Sequence, residues 1–181
     1  DGSCAKTLEG HDNCVICILK LNEKQIASGS YDGTIKVWNL DDGSCAKTLE
    51  RHDRYVYCLM KLNEKQIASG SCDKAIKVWN LDDGYCAKTL KGHDRDVTCL
   101  MKLNEKQIAS GSWDKTIKVW NLDDGSCAKT LEGHDKVVTC LVKLNEKQIA
   151  SGSYDNTIKV WNLDDRSCAK TLEGHDIITC I

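Results

Sequence analysis

Apolar and polar residues follow one another in short runs along this chain, and the runs have the character of strands. "VICILKL" (15–21) is rich in β-branched and apolar residues, and "QIASGS" (25–30) is short and built of small residues. "TIKVWNL" (34–40) and "CAKTL" (45–49) alternate apolar with polar. Each run is bounded by Gly, Asn, Asp or Glu-Lys, the residues that favour turns. The pattern predicts four short antiparallel strands, with Asp32-Gly33 as a two-residue hairpin signal between the second and the third. Asp73-Lys74, Asp114-Lys115 and Asp155-Asn156 replace that dipeptide later, and a hydrogen bond from the Asp side chain can hold the turn where Gly is lost.

The four-run pattern recurs with a period of 41 residues, so that Asp1, Asp42, Asp83, Asp124 and Asp165 open the same phrase, D-x-x-C-A-K-T-L. Four units are complete and a fifth breaks off. A period of this length marks an architecture of stacked supersecondary units, each burying its apolar face against the next.

Each unit carries His, Ser, Asp and Trp at fixed offsets. The sets are His11, Ser28, Asp32, Trp38; His52, Ser69, Asp73, Trp79; His93, Ser110, Asp114, Trp120; and His134, Ser151, Asp155, Trp161. Ser, His and Asp together suggest an activated nucleophile. Repetition argues otherwise, because an enzyme needs one site whereas a brace is needed in every unit. A chain of hydrogen bonds from Trp to Ser to His to Asp satisfies every donor and acceptor in the set. No G-x-S-x-G elbow occurs, and "ASGS" falls on a strand. The reading is therefore structural tetrads and no enzyme.

"GH", a strand, "ASGSxDxTIKVWNL" and "CAKTLEGH" resemble the WD-repeat family of β-propellers, and the repeats are similar to those of F-box substrate receptors. The resemblance covers the whole chain. It implies an all-β propeller of four-stranded antiparallel blades, the same tetrad in each blade, and a rim of loops that binds proteins or peptides. The chain departs from the family pattern in reading Trp-Asn at Trp38-Asn39 and its three counterparts, in having no Pro or Phe, and in Arg51-His52 where Gly-His is expected. The expected blades cover about 12–50, 53–91, 94–132 and 135–173, with unpaired strands at 3–9 and 177–181. Because about seven blades are usual in the family and rings of roughly four to eight are known, an arc of four leaves two blade faces bare. Asp1 in place of Met, and a stop in mid-unit, favour a piece of a longer array over two chains closing an eight-bladed ring. The fifth unit reads "HDIITC" against "HDKVVTC", which puts the role of His175 in question.

With 41% hydrophobic and 29% charged residues the 181-residue chain has the composition of a globular protein. No run approaches the roughly 20 apolar residues of a spanning helix, and no signal peptide opens the chain, so no membrane is expected. A net charge of −2 from 25 basic and 27 acidic residues, evenly scattered, gives no stripe for nucleic acid. Ten of the twelve cysteines recur with the period, and Cys14 and Cys72 are extra. Equivalent positions in neighbouring units are too far apart to bridge. Cys14-Val15-Ile16-Cys17 resembles half a zinc site, but i and i+3 on a strand face opposite ways and no second half follows. The cysteines are read as small buried hydrophobes kept as thiols in cytosol or nucleus, with no metal and no cofactor.

Near-identical copies make the chain its own control. "KLNEKQIASGS" is the same in all four units. Variation gathers at Asn13, Arg54, Arg95 and Lys136; at Cys14, Tyr55, Asp96 and Val137; at Ile16, Tyr57, Thr98 and Thr139; and at Tyr31, Cys72, Trp113 and Tyr154. In a propeller these positions share one rim, and Tyr, Trp and Arg are the residues that protein interfaces favour. The expected function is a non-catalytic platform for protein or peptide partners. The alternative is the substrate-recognition part of a larger ubiquitin ligase or signalling enzyme, for which Arg54 and Arg95 are the available phosphate-binding candidates.

Overall fold

A computed structural model of the chain describes residues 2–174. The strand expected at 177–181 and the question of His175 lie outside them. Four antiparallel sheets of four strands follow one another, each laid down in simple up-and-down order. The first blade contains β1 (Val15–Lys20), β2 (Gln25–Ser30), β3 (Thr34–Asn39) and β4 (Cys45–Glu50). The second contains β5 (Val56–Asn63), β6 (Gln66–Ser71), β7 (Ala75–Asn80) and β8 (Cys86–Lys91). The third is β9 (Val97–Lys102), β10 (Gln107–Ser112), β11 (Ile117–Asn121) and β12 (Cys127–Leu131). The fourth is β13 (Val138–Lys143), β14 (Gln148–Ser153), β15 (Ile158–Asn162) and β16 (Cys168–Leu172). Among the described residues no helix is long and apolar enough to cross a membrane.

The core is made between blades as much as within them. Ala27, Ile35, Val37 and Leu49 of the first blade pack on Val56, Ile67 and Trp79 of the second, and equivalent residues repeat the arrangement down the row. A glycine makes the close approach. A Cβ on Gly70 would lie 2.7 Å from Cys58 Sγ and 2.7 Å from Val97 Cγ1 of the next blade. The glycine of the invariant "SGS" is therefore a spacer between sheets. Two sets of lysines bracket the same interface. Lys61, Lys102 and Lys143 reach back to the carbonyls of Leu21, Leu62 and Leu103 at 2.5, 2.6 and 2.6 Å. Lys88 on the outer strand reaches forward to the carbonyls of Leu122 and Asp123 at 2.6 and 2.7 Å.

Residues 3–9 form no ladder with another strand. They lie against blade 1 as β4 lies against blade 2: Lys6 donates to the carbonyls of Leu40 and Asp41 at 3.0 and 2.8 Å, and Leu8 covers Gly43 as Leu49 covers Gly84. They sit where the outer strand of a preceding blade would be.

The turns between second and third strands take φ of 82° at Gly33, 70° at Lys74, 74° at Lys115 and 68° at Asn156. Lysine is costly in this left-handed region. The Asp side chain holds the turn as expected, its Oδ1 accepting from the backbone N–H two residues on at 2.8 to 3.0 Å. In the second unit, Arg51 stands over the ring of Tyr85 at 4.7 Å, so two departures from the repeat meet as a cation–π pair.

The cysteines differ from the expectation of buried hydrophobes. Cys17, Cys58 and Cys99 are half-buried and Cys140 is buried, but Cys4, Cys45, Cys127 and Cys168 are exposed. The outer strand has solvent on its far side, and its cysteine Sγ bonds locally, as from Cys45 to the Lys47 carbonyl at 3.3 Å. Burial pushes the Cys17 thiol up to about 12, the mark of an inert thiol.

Gly70→Ala is expected to destabilise the chain by about 1–3 kcal/mol, because the added methyl overlaps a sulfur and a neighbouring blade. The denaturant midpoint measures it, and an unchanged midpoint would show that the blades can slide apart freely.

Candidate functional site

Two constellations in each unit need a physical account: the buried tetrad and the exposed rim. The Ser of each tetrad lies on the second strand and the Trp on the neighbouring third strand, in diagonal positions of the ladder (Trp38 pairs with Ile26 and Ser28 with Lys36), while His and Asp come from loops. In blade 3 the Trp120 indole N–H donates to Ser110 Oγ at 2.8 Å. The hydroxyl contacts His93 Nε2 at 2.7 Å, and His93 Nδ1 contacts Asp114 Oδ2 at 2.6 Å. Trp120, Ser110 and His93 are buried. The other three blades repeat this chain: Trp38, Ser28, His11 and Asp32; Trp79, Ser69, His52 and Asp73; Trp161, Ser151, His134 and Asp155.

The carboxylate can only accept, so His Nδ1 carries the proton, Nε2 is left as an acceptor, and the Ser hydroxyl donates to it while accepting from the Trp N–H. In this state the hydroxyl donates its hydrogen bond to a ring nitrogen and accepts one from the indole at the same time. Its Oγ is buried, with no open side for a substrate. The arrangement braces the loop that carries the His onto the hairpin that carries the Trp. It ties each blade to the strand that precedes it in the chain.

Electrostatics follow from this geometry. Burial works to raise the Asp32 carboxyl, but hydrogen bonds from the side chain and backbone of Thr34, from His11 and from Asp12 hold it down at about 2. The carboxyls of Asp114 and Asp155 lie lower still, and in each a Thr hydroxyl and the His outweigh burial. Burial also lowers His134, against the pull of Asp155, which keeps its ring neutral at pH 7.

The second Ser of "SGS" was not singled out by sequence reasoning. Ser30, Ser71, Ser112 and Ser153 are fully buried. Their hydroxyls donate to the carbonyls of Asn13, Arg54, Arg95 and Lys136 at 3.1 to 3.3 Å and accept the turn Asp N–H at 3.0 to 3.1 Å. They fix the backbone of the variable loops by its carbonyls, whichever side chain stands there. Their identity in all four copies was the available signal.

At the rim, each residue before the turn Asp donates its N–H to the carbonyl of a loop residue in the same blade. Tyr31 is joined in this way to Cys14, Cys72 to Tyr55, Trp113 to Asp96 and Tyr154 to Val137. Two of the variable positions are thus backbone partners. Ile16, Tyr57, Thr98 and Thr139 are the extra residues of a β-bulge, because the register skips them between Val15/Cys17 and its equivalents. A bulge re-aims its side chain, and here it turns Tyr57 onto the rim.

The structure brings six of the rim candidates together across blades 1 to 3. Tyr31 and Tyr55 stack at 4.4 Å between ring centroids, and Tyr57 meets each edge-on at 6.4 and 6.5 Å. Burial, with Asp96 beside the ring hydroxyl, raises Tyr57 to about 12. Cys72 contacts both Asp96 and Arg54. Trp113, 44% exposed, adjoins this cluster through its backbone bond to Asp96, and Tyr154 stands on blade 4. Asn13, Arg95 and Lys136 are exposed at their loops, whereas Val137 is buried.

Trp120→Phe, which leaves the Ser110 and His93 chain one donor short, is expected to lower stability by about 1–3 kcal/mol in a denaturant melt. Stability is also expected to fall on acidification in two stages. His134, neutral in the fold, takes up a proton more readily when unfolded, so stability is lost as pH drops below its ordinary value of 6.5. The Asp32 contribution is complete above the ordinary 3.8 and is lost as pH falls towards about 2. Melting temperatures measured from pH 8 to pH 2 test both signs.

The model of one protein family, described as WD domain, G-beta repeat, matches residues 2–39, 43–80, 84–121 and 125–162. Each match begins in an outer strand and ends with the Trp-Asn of the next blade, so the repeat in sequence is offset from the blade by one strand. A curated relative, named as the probable E3 ubiquitin ligase complex SCF subunit scon-2 of Neurospora crassa, is 53% identical over 34 residues. Those residues are 19% of this chain and 5% of that protein. The crystal structure of the WD40 β-propeller domain of Doa1 superposes with a TM-score of 0.82 at 29% identity, over 94% of this chain and 57% of that one. On the family match, with four consecutive blades behind it, this chain belongs to the WD-repeat family of β-propellers.

Proposed function

We propose that this chain is a non-catalytic platform that holds a protein or peptide partner on its loop rim. The observation that carries the reading is the Tyr31, Tyr55 and Tyr57 cluster, with Trp113 further along the same rim. Exposed aromatic rings on a rigid backbone lose little conformational freedom on binding and supply large contact areas. The scaffold stays constant between blades while the rim varies, which suits recognition of one extended partner by unlike sites. Each tetrad serine is buried and already bonded to an indole and an imidazole.

The short match to an SCF ubiquitin-ligase subunit favours a second version, in which the propeller selects substrates for a larger ligase. Arg54 contacts Cys72, and Arg95 is exposed. In either version the free thiols, eleven among the described residues, fit a reducing compartment such as cytosol or nucleus. Neither nucleic acid nor a membrane belongs to this reading.

Selection of a random peptide display library on the intact chain is expected to enrich one motif. Tyr55→Ala and Trp113→Ala should each weaken the selected peptide at least tenfold, about 1.4 kcal/mol, with unchanged melting temperature. Peptide affinity that survives both substitutions would move the binding site off this rim.

A further inference from the structure

The turn of blade 1 leans on the entry loop of blade 2. A Cβ on Gly33 would stand 3.2 Å from the His52 carbonyl oxygen and 3.3 Å from that of Arg54. The residue before a turn aspartate thus meets, across the junction, a loop residue of the following blade: Tyr31 meets Tyr55, and Cys72 meets Asp96. Tyr57, turned out by its bulge, belongs to both junctions. Its ring stands at 88° to Tyr31 and 85° to Tyr55, and its hydroxyl lies beside Asp96.

The cluster offers aromatic surface and a carboxylate together. Tyr31 is 37% and Tyr55 43% exposed, while Tyr57 and Asp96 are half-buried. Among the described residues, lysines pair with carboxylates on the opposite rim, as Lys20 with Glu23 and Lys24 with Asp41, and Asp96 is in none of these pairs. In the loops and turn around the cluster, Asp53, Asp94 and Asp96 equal Arg54, Lys74 and Arg95 in number, so net charge favours neither sign of ligand and the nearest group decides. Of the charged groups it is Asp96 that bears most on the Tyr57 hydroxyl. Aromatic faces are negative, and beside a partly desolvated carboxylate they favour a cation. The chain makes one such contact internally, where Arg51 stands over the Tyr85 ring.

We propose that Tyr31, Tyr55, Tyr57 and Asp96 form the subsite for a positively charged side chain, arginine or lysine, of a peptide partner, its cation stacked on a tyrosine ring while Asp96 offsets its charge. This rests on the rim platform proposed above and names the chemistry of one position on it. The rings already pack on one another, Tyr31 and Tyr55 at 4.4 Å and 31°, so the surface is formed before a ligand arrives and little ordering remains to oppose binding. Two blades supply the tyrosines and a third the carboxylate, so the subsite exists only where consecutive blades meet.

The test titrates the full chain, its tyrosine rings labelled for NMR, with three capped amino acids: N-acetyl-arginine methylamide, its uncharged isostere N-acetyl-citrulline methylamide, and N-acetyl-glutamate methylamide. The arginine probe is expected to shift the Tyr31 and Tyr55 ring signals saturably and to leave Tyr154 unmoved, with citrulline binding about tenfold more weakly. Asp96→Asn, which removes the charge and keeps the shape, should cost the arginine probe about tenfold and leave citrulline as it was, and Tyr55→Ala should abolish both. No saturable shift with arginine, equal binding of citrulline, or arginine affinity unchanged in Asp96→Asn each overturns the inference. So does a preference for glutamate, which would give the cluster to Arg54 and Arg95. A library-selected peptide that depends on Tyr55 but carries no arginine or lysine overturns this inference and leaves the rim platform standing, whereas a selected peptide indifferent to every rim substitution removes both.

Discussion

A blade of four short strands is apolar on both sides, and no single blade can bury either side alone. The rest of this structure follows from that constraint. Valine on glycine at the centre of each interface, aliphatic side chains around it and lysine brackets at its edges bury both faces wherever a neighbour exists. Backbone approach at Gly29, Gly70 and Gly111 sets the spacing, and a methyl group at any of them is too large. Stability is thereby a property of neighbours, roughly the sum of unit and interface terms.

Within a blade the tetrad solves a different problem. The loop that enters each blade arrives from the outer strand of the blade before, and its backbone has few partners of its own. A chain of hydrogen bonds from a buried indole to a carboxylate fastens it. The Ser one turn of the pleat further on fastens the variable loop residue by its carbonyl alone. The result is a rim whose backbone is held in the same way four times while its side chains are free to differ. An interaction platform needs both properties.

Much of this was legible in the sequence because the repeat did the averaging. Strand runs, turn aspartates and the tetrad's donor and acceptor count could all be read from one unit and checked on three more. The bulge was not legible. Nothing in "VICILK" says that Ile16 falls out of register, so the gathering of Tyr57 with Tyr31 and Tyr55 appeared only in three dimensions. The exposed cysteines were missed for a related reason: alternation in "CAKTL" gives the two faces of a strand but not that its outer edge meets water. The role of the second serine was hidden by the attention that the first attracts.

The offset between repeat and blade has an evolutionary consequence. One 41-residue repeat supplies the outer strand of one blade and the three inner strands of the next. Unequal crossing-over between two copies therefore inserts or deletes a length of chain whose ends always fall at equivalent points of neighbouring sheets. Every ladder, spacer glycine and tetrad between neighbouring copies is restored after the event. Copy number can therefore change by recombination while each neighbouring pair of blades keeps its ladders, its spacer glycine and its tetrads.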